Sequence, residues 1–257
     1  PLVHDFDIEG RWPRRLDRPL PGAEVDLLDL LVDVIAQPED LAQALLDFRE
    51  TGNTSFQTFH AVKGRNPDDD EKLKLLNPLE LSFGQLTHLA LVCASLGVEF
   101  MATPFDRSAA ENLKSLCAKR IKIGSGQVKD LEFIKLVGQL GLPVVISNGM
   151  CTDEQMDAAL KVLPDDTTIL YCVSKYPTPL EDIDMSQLAR LRSRFGKPVG
   201  YSCHSGVVGP SVIAAAKGAS VVECHISYDK NAIGPDHSSS LVIGQLKEWV
   251  KLVRMAA

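Results

Sequence analysis

The chain has 257 residues, 45% of them hydrophobic and 24% charged, with a formal net charge of −7, which suits one large core rather than two domains and a linker. The acidic balance excludes a nucleic-acid footprint, which needs clustered Lys and Arg, and no apolar run approaches the roughly 20 residues that span a bilayer. Six cysteines scattered without CxxC pairing (Cys93, Cys117, Cys151, Cys172, Cys203 and Cys224) read as reduced thiols of a cytoplasmic protein.

Residues 1–24 alternate charges and prolines and read as an N-terminal arm without a signal-peptide core, leaving 25–257 as the folded domain. LVDVIA (31–36) and TSFQTF (54–59) read as strands, separated by the helix-like EDLAQALLDFRETG. The acidic stretch from Asn66 to Leu76 then interrupts the rhythm and reads as a solvated loop, with a substrate-facing lid as the alternative. Six more strand-like runs come after it: VEFMA (98–102), RIKIG (120–124), PVVIS (143–147), TTILYCV (167–173), KPVGYS (197–202) and ASVVECHI (219–226). Between them GQVKDLEFIKLVGQLG, TDEQMDAALKVL, DMSQLARLRSRFG and GPSVIAAAKGA carry apolar residues at helical spacing. Eight strands alternating with helices predict an α/β fold, a single-domain (β/α)8 TIM barrel. The competitor, a doubly wound nucleotide-binding sheet, lacks a G-x-G-x-x-G after its first strand.

In such a barrel, polar residues at the C-terminal ends of apolar strands converge on one mouth. Here they are Lys122 and Ser125, Ser147, Ser174 and Tyr176, Ser202 and His204, and His225. His204 and His225 lie 21 residues apart, one repeat, so they sit in the same register on adjacent strands and could share a metal; singly, each would read as a hydrogen-bonded core histidine. Lys122 between Ile121 and Ile123 asks for an anion, either a phosphate or carboxylate of a substrate or a structural carboxylate, unless it snorkels outward. Asp236, in the loop after the last strand, reads as an acid/base group or as part of an Asx turn. Cys203 and Cys224 should face away from the mouth by two-residue alternation; a bulge turning either inward would make a softer site that prefers zinc.

The motifs ATPFD (102–106), IKIGSG (121–126), LPVVISNGM (142–150), LYCVSKYPTPLEDIDM (170–185), VGYSCHSG (199–206) and ECHISYDKNAIGPDHSSSL (223–241) resemble, in order and spacing, the sialic acid synthase family, the N-acetylneuraminate synthases. The resemblance implies a divalent metal, manganese or magnesium, on His204 and His225. It places Gln57, Thr103, Lys122, Ser125, Gln127, Ser147, Ser174 and Ser202 around the substrates, with Tyr176 and Asp236 facing an acceptor sugar and Lys122, Tyr176 and Asp236 in the catalytic step. The implied reaction joins phosphoenolpyruvate to an aldose or another aldehyde, in a homodimer.

Departures from the family pattern touch both substrates, the acceptor side most, and the change on the second strand removes one phosphate-binding cation. The Glu usual on the first strand is absent from VDVIAQPED, with Asp33 nearby, and Ser55-Phe56-Gln57 replaces a lysine-aromatic-glutamine triplet. Gln127 stands where a carboxylate is usual, and an amide cannot take a proton as a carboxylate does. The sequence ends at Ala257, short of the family's C-terminal antifreeze-like domain. Three readings stay open: a synthase with a different acceptor, an aldolase or lyase on the same barrel, and a non-catalytic sugar- or phosphate-binding homologue.

Overall fold

The structure, a computed structural model, describes residues 83–96, 98–227, 229–232 and 236–257, together with the backbone of 29–34 and 54–59. The arm, the acidic stretch 66–76 and the helix expected between the first two strands lie outside the described residues. Eight parallel strands make the barrel: β1 (Asp29–Val34), β2 (Thr54–Phe59), β3 (Glu99–Thr103), β4 (Ile121–Ile123), β5 (Val144–Ser147), β6 (Thr167–Cys172), β7 (Val199–Cys203) and β8 (Val221–Ser227). A two-residue β9 (Leu241–Val242) pairs with the end of β8. The hydrogen-bonded order is β3-β2-β1-β8-β7-β6-β5-β4, so the first and last strands of the chain meet at β1 and β8, as a closed barrel requires.

The two ends of that path, β3 and β4, run alongside each other. Side chains stitch this seam: Arg120, just before β4, makes two bonds to the Glu99 carboxylate on β3, at 2.6 and 3.2 Å. At the other end of the seam, Gln127 Nε2 donates to the Pro104 carbonyl at 2.6 Å.

Seven described helices cover the strands: α1 (Phe83–Leu96), α2 (Arg107–Ser115), α3 (Leu131–Gln139), α4 (Asp153–Leu160), α5 (Gln187–Phe195), α6 (Gly209–Ala216) and α7 (Ile243–Ala256). Local chemistry sets their ends. Asp106, the last residue of ATPFD, caps α2 by accepting from Ala109 N, and Thr152 with Gln155 closes a capping box on α4. The helix read from Gly126 onward instead begins at Leu131, because Ser125–Gln127 forms a 3-10 turn and Asp130 caps α3 by accepting from Phe133 N. On α7, Leu246, Trp249, Val250 and Val253 are buried at helical spacing, presenting one apolar stripe to the barrel.

Two cores result. The larger lies between strands and helices and contains Cys203 and Cys224, which therefore face away from the mouth, as alternation predicts. The smaller, Met101, Val145, Leu170 and Val221, is an apolar layer inside the barrel that makes its lower half a plug rather than a channel. Gly200 opens room for this layer: a Cβ there would stand 2.3 Å from the Val221 carbonyl oxygen and 2.6 Å from Leu170 Cδ2. Neither backbone nor packed core can yield cheaply, so Gly200→Ala is expected to cost about 3 kcal/mol. In a thermal melt that is a fall in Tm of about 6 to 12 °C.

Candidate active site at the barrel mouth

Above the apolar layer the barrel interior turns polar. Lys122 on β4 and Glu223 on β8 are both buried, 4% and 1% exposed, yet they belong to strands four apart in the sheet. Their side chains meet across the lumen, Lys122 Nζ to Glu223 Oε2 at 3.3 Å. An ammonium with no such partner would cost several kcal/mol in this setting. The inward orientation of Lys122 expected from its strand is therefore observed, and its first partner is a structural carboxylate.

Glu223 is the residue that sequence reasoning passed over. Its signal was available: it precedes His225 by two, so if His225 faces the mouth, Glu223 faces inward as well. Its second oxygen, Oε1, accepts the Ser202 hydroxyl at 2.6 Å, and Ser202 Oγ lies 3.0 Å from His204 Nε2. A continuous polar chain therefore runs from Lys122 through Glu223 and Ser202 to His204.

The two histidines come together as their register predicts. Their ring centroids are 5.3 Å apart with planes at 88°. Two imidazoles this close at one mouth could share a divalent cation. His204 Nδ1–H donates to the Val173 carbonyl at 2.8 Å, which fixes the tautomer and leaves Nε2 as the nitrogen with a lone pair. Tyr176 stacks on His204 at 4.2 Å, its hydroxyl 3.2 Å from that Nε2, and meets His225 edge-on at 5.8 Å. Burial lowers the pKa of His204; burial, then His204 and Lys122, lowers that of His225 well below the ordinary histidine value. Both shifts favour the neutral ring, the form that binds a cation.

Asp236 approaches from the loop beyond β8, with Oδ2 3.8 Å from His225 Nδ1. The loop holds it firmly: Ser240 Oγ donates to the Asp236 carbonyl at 2.8 Å, and His237 Nδ1 bonds Ser227 Oγ at 2.8 Å. Its backbone is left-handed, φ 63°, a conformation Asp tolerates better than most residues. Burial raises its carboxyl pKa, against a smaller downward pull from His237.

The hydroxyls divide. Thr103 and Ser147 end β3 and β5 and are buried; Ser174 lies just past β6; Ser125 opens the 3-10 turn after β4. Ser147 Oγ and Ser174 Oγ are buried and, the Cys172 thiol beside Ser147 apart, have no hydrogen-bond partner among the described residues. Two under-partnered hydroxyls on the face that carries a buried ammonium form an arrangement that an anion would complete. Gly149 makes room for one of them, since a Cβ there would meet Ser174 Oγ at 2.5 Å and Cys172 Sγ at 2.6 Å.

Gln127 is not brought to this cluster with a free amide. Its Oε1 accepts from Gly124 N at 2.9 Å and its Nε2 serves Pro104, so the side chain ties two loops together. Gln57 stands in register with Met101 and Asp33, and its side chain and that of Asp33 lie outside the described residues. Among the described residues no group of three or more His, Cys, Asp or Glu gathers around one point, and those residues offer two imidazoles with Asp236 beyond them. No described helix is long and apolar enough to cross a membrane.

Comparison with known proteins gives one consistent result. The family model described as the NeuB family matches residues 48–257. An N,N'-diacetyllegionaminic acid synthase of Legionella pneumophila is 34% identical over 213 residues, 79% of this chain and 60% of that protein. The human N-acetylneuraminate-9-phosphate synthase is 36% identical over 181 residues, 69% of this chain and 50% of its own length. The chain thus spans half to three-fifths of these two relatives. Among solved structures, an N-acetylneuraminic acid synthetase from Leptospira borgpetersenii, in complex with citrate, superposes with TM-score 0.77 at 25% identity, covering 88% of this chain and 82% of that one. A truncated 3-deoxy-D-arabino-heptulosonate 7-phosphate synthase from Thermotoga maritima, at 15% identity and TM-score 0.70, shares the fold.

Proposed function

The chain belongs to the NeuB family, and on that premise we propose that it condenses phosphoenolpyruvate with an aldehyde sugar to give a 2-keto-3-deoxy acid of the sialic acid type. The observation that carries the reading is the buried Lys122 ammonium sharing the mouth with two under-partnered hydroxyls, Ser147 and Ser174, beside two perpendicular imidazoles. In the proposed reaction C3 of phosphoenolpyruvate attacks the aldehyde carbon, water adds at C2, and the C2–oxygen bond to phosphate is lost. Lys122 and the hydroxyls of Thr103, Ser125, Ser147, Ser174 and Ser202 hold the phosphate and carboxylate. Tyr176, 47% exposed, and Asp236 face the acceptor. Asp236, its carboxyl pKa raised by burial, is placed to exchange a proton with the acceptor.

His204 and His225 would hold a divalent cation, which when bound supplies a Lewis acid for the aldehyde oxygen. The fit is chemical: Cys203 and Cys224 are packed among apolar side chains, so the donors among the described residues are imidazole and carboxylate, a set that can hold a divalent transition metal, zinc included; manganese or magnesium is what the family resemblance implies. Gln57, from the second strand whose family pattern serves the phosphate, and Gln127, at the acceptor side through the loop it braces, complete the proposal. A cytoplasmic homodimer whose barrel begins near residue 25 belongs to the same reading, and the six free thiols agree with a reducing compartment.

The test is phosphate release from phosphoenolpyruvate across a panel of aldoses with manganese present. Aldose-dependent release supports the synthase; pyruvate release from a 2-keto-3-deoxy acid with no phosphoenolpyruvate turnover would transfer the barrel to aldolase chemistry. Gly149 supplies a subsidiary expectation. Alanine there displaces the Ser174 hydroxyl and is expected to weaken phosphoenolpyruvate binding by about tenfold, the value of one hydrogen bond to a charged group, in a calorimetric titration.

A further inference from the structure

The buried chain from Lys122 to His204 contains a conflict of hydrogen bonding. Ser202 has one proton and two neighbours that could take it: Glu223 Oε1 at 2.6 Å and His204 Nε2 at 3.0 Å. Because His204 Nδ1–H is spent on Val173, Nε2 of the neutral ring has no proton to offer in return. A carboxylate is the stronger acceptor and the distance to it is shorter. The Tyr176 hydroxyl also lies 3.2 Å from Nε2; we propose that Glu223 is a positioning residue that turns the Ser202 hydroxyl away from His204, so that the buried Ser202 proton does not compete with a cation for the Nε2 lone pair, an inference that rests on the cation reading above.

Lys122 decides how a substitution would act. In Glu223→Gln the amide oxygen must face Lys122 Nζ, 3.3 Å from the present Oε2, because the amide nitrogen would set donor against donor. The NH2 group then faces Ser202 and donates to Oγ. Ser202 is left with a proton to place, and His204 Nε2 is the acceptor beside it. The hydroxyl reverses, and the lone pair the cation needs is filled.

The experiment is a cycle of manganese affinities, measured with Mn2+ alone by electron paramagnetic resonance on the whole chain: the parent, Glu223→Gln, Ser202→Ala and the double variant. Glu223→Gln is expected to weaken Mn2+ binding by about tenfold or more, as for groups that orient a metal ligand. In the Ser202→Ala background the same substitution is expected to act at least about fivefold less, because no hydroxyl remains to reverse. Removing the Glu223 charge acts equally in both backgrounds and cancels from the comparison. Equal effects in the two backgrounds overturn the proposal and leave the cation reading standing; a parent chain that binds no Mn2+ overturns both. Should Glu223→Gln not fold, Ser202→Ala alone decides: no gain in affinity supports the proposal, and tighter binding overturns it, since the proton would already have been on His204.

Discussion

Alanine at His204 or His225 is expected to release the divalent cation and abolish turnover while the chain still folds. Each variant removes one of the two imidazoles that the described residues bring to the site, so the fall in Mn2+ affinity should exceed about 100-fold, more than the loss of an orienting group produces. Folding should survive because both rings lie above the Met101, Val145, Leu170 and Val221 layer and take no part in it. The two variants should differ in stability. His204→Ala leaves the Val173 carbonyl with only the long bond from Thr178 Oγ1, at 3.4 Å, and removes the ring on which Tyr176 stacks, so it should be less stable than His225→Ala by an amount on the order of 1 kcal/mol. Metal content after dialysis, with circular dichroism as the folding control, settles the matter. Unchanged content in both variants would refute the assignment.

Legibility tracked the physics of each element. The barrel could be read because strands buried on both faces leave near-continuous apolar runs, as PVVIS does around the fully buried β5. The convergence of His204 and His225 could be read from register alone, since equal positions on neighbouring parallel strands must meet at the same height. What escaped depended on contacts between distant strands. The pairing of Lys122 with Glu223 joins β4 to β8 across the lumen, and no spacing within one segment encodes it. The 3-10 turn at Ser125–Gln127 escaped because Gln127 tied its amide to Pro104, 23 residues earlier, which a helical pattern cannot reveal. Equally, the tautomer of His204 is set by a carbonyl, and carbonyls leave no mark in composition.

The buried pair yields the sharpest separation of structural from functional roles. Lys122→Ala leaves the Glu223 carboxylate buried without its ammonium and is expected to cost about 3 to 5 kcal/mol of stability. It is also expected to weaken phosphoenolpyruvate by about 10 to 100-fold, the worth of a charge-assisted bond to an anion. The two losses have different remedies. Replacing both partners with apolar residues of similar volume, Lys122→Met with Glu223→Leu, removes the stranded charge, so most of the stability should return in denaturant unfolding. Phosphoenolpyruvate affinity should not return, because the anion still lacks its cation. If calorimetry instead shows undiminished affinity in the double variant, the ammonium serves only Glu223 and Lys122 leaves the substrate site. If affinity is lost while stability recovers, Lys122 serves both partners, the carboxylate holding it in place and the substrate anion using the donors that remain.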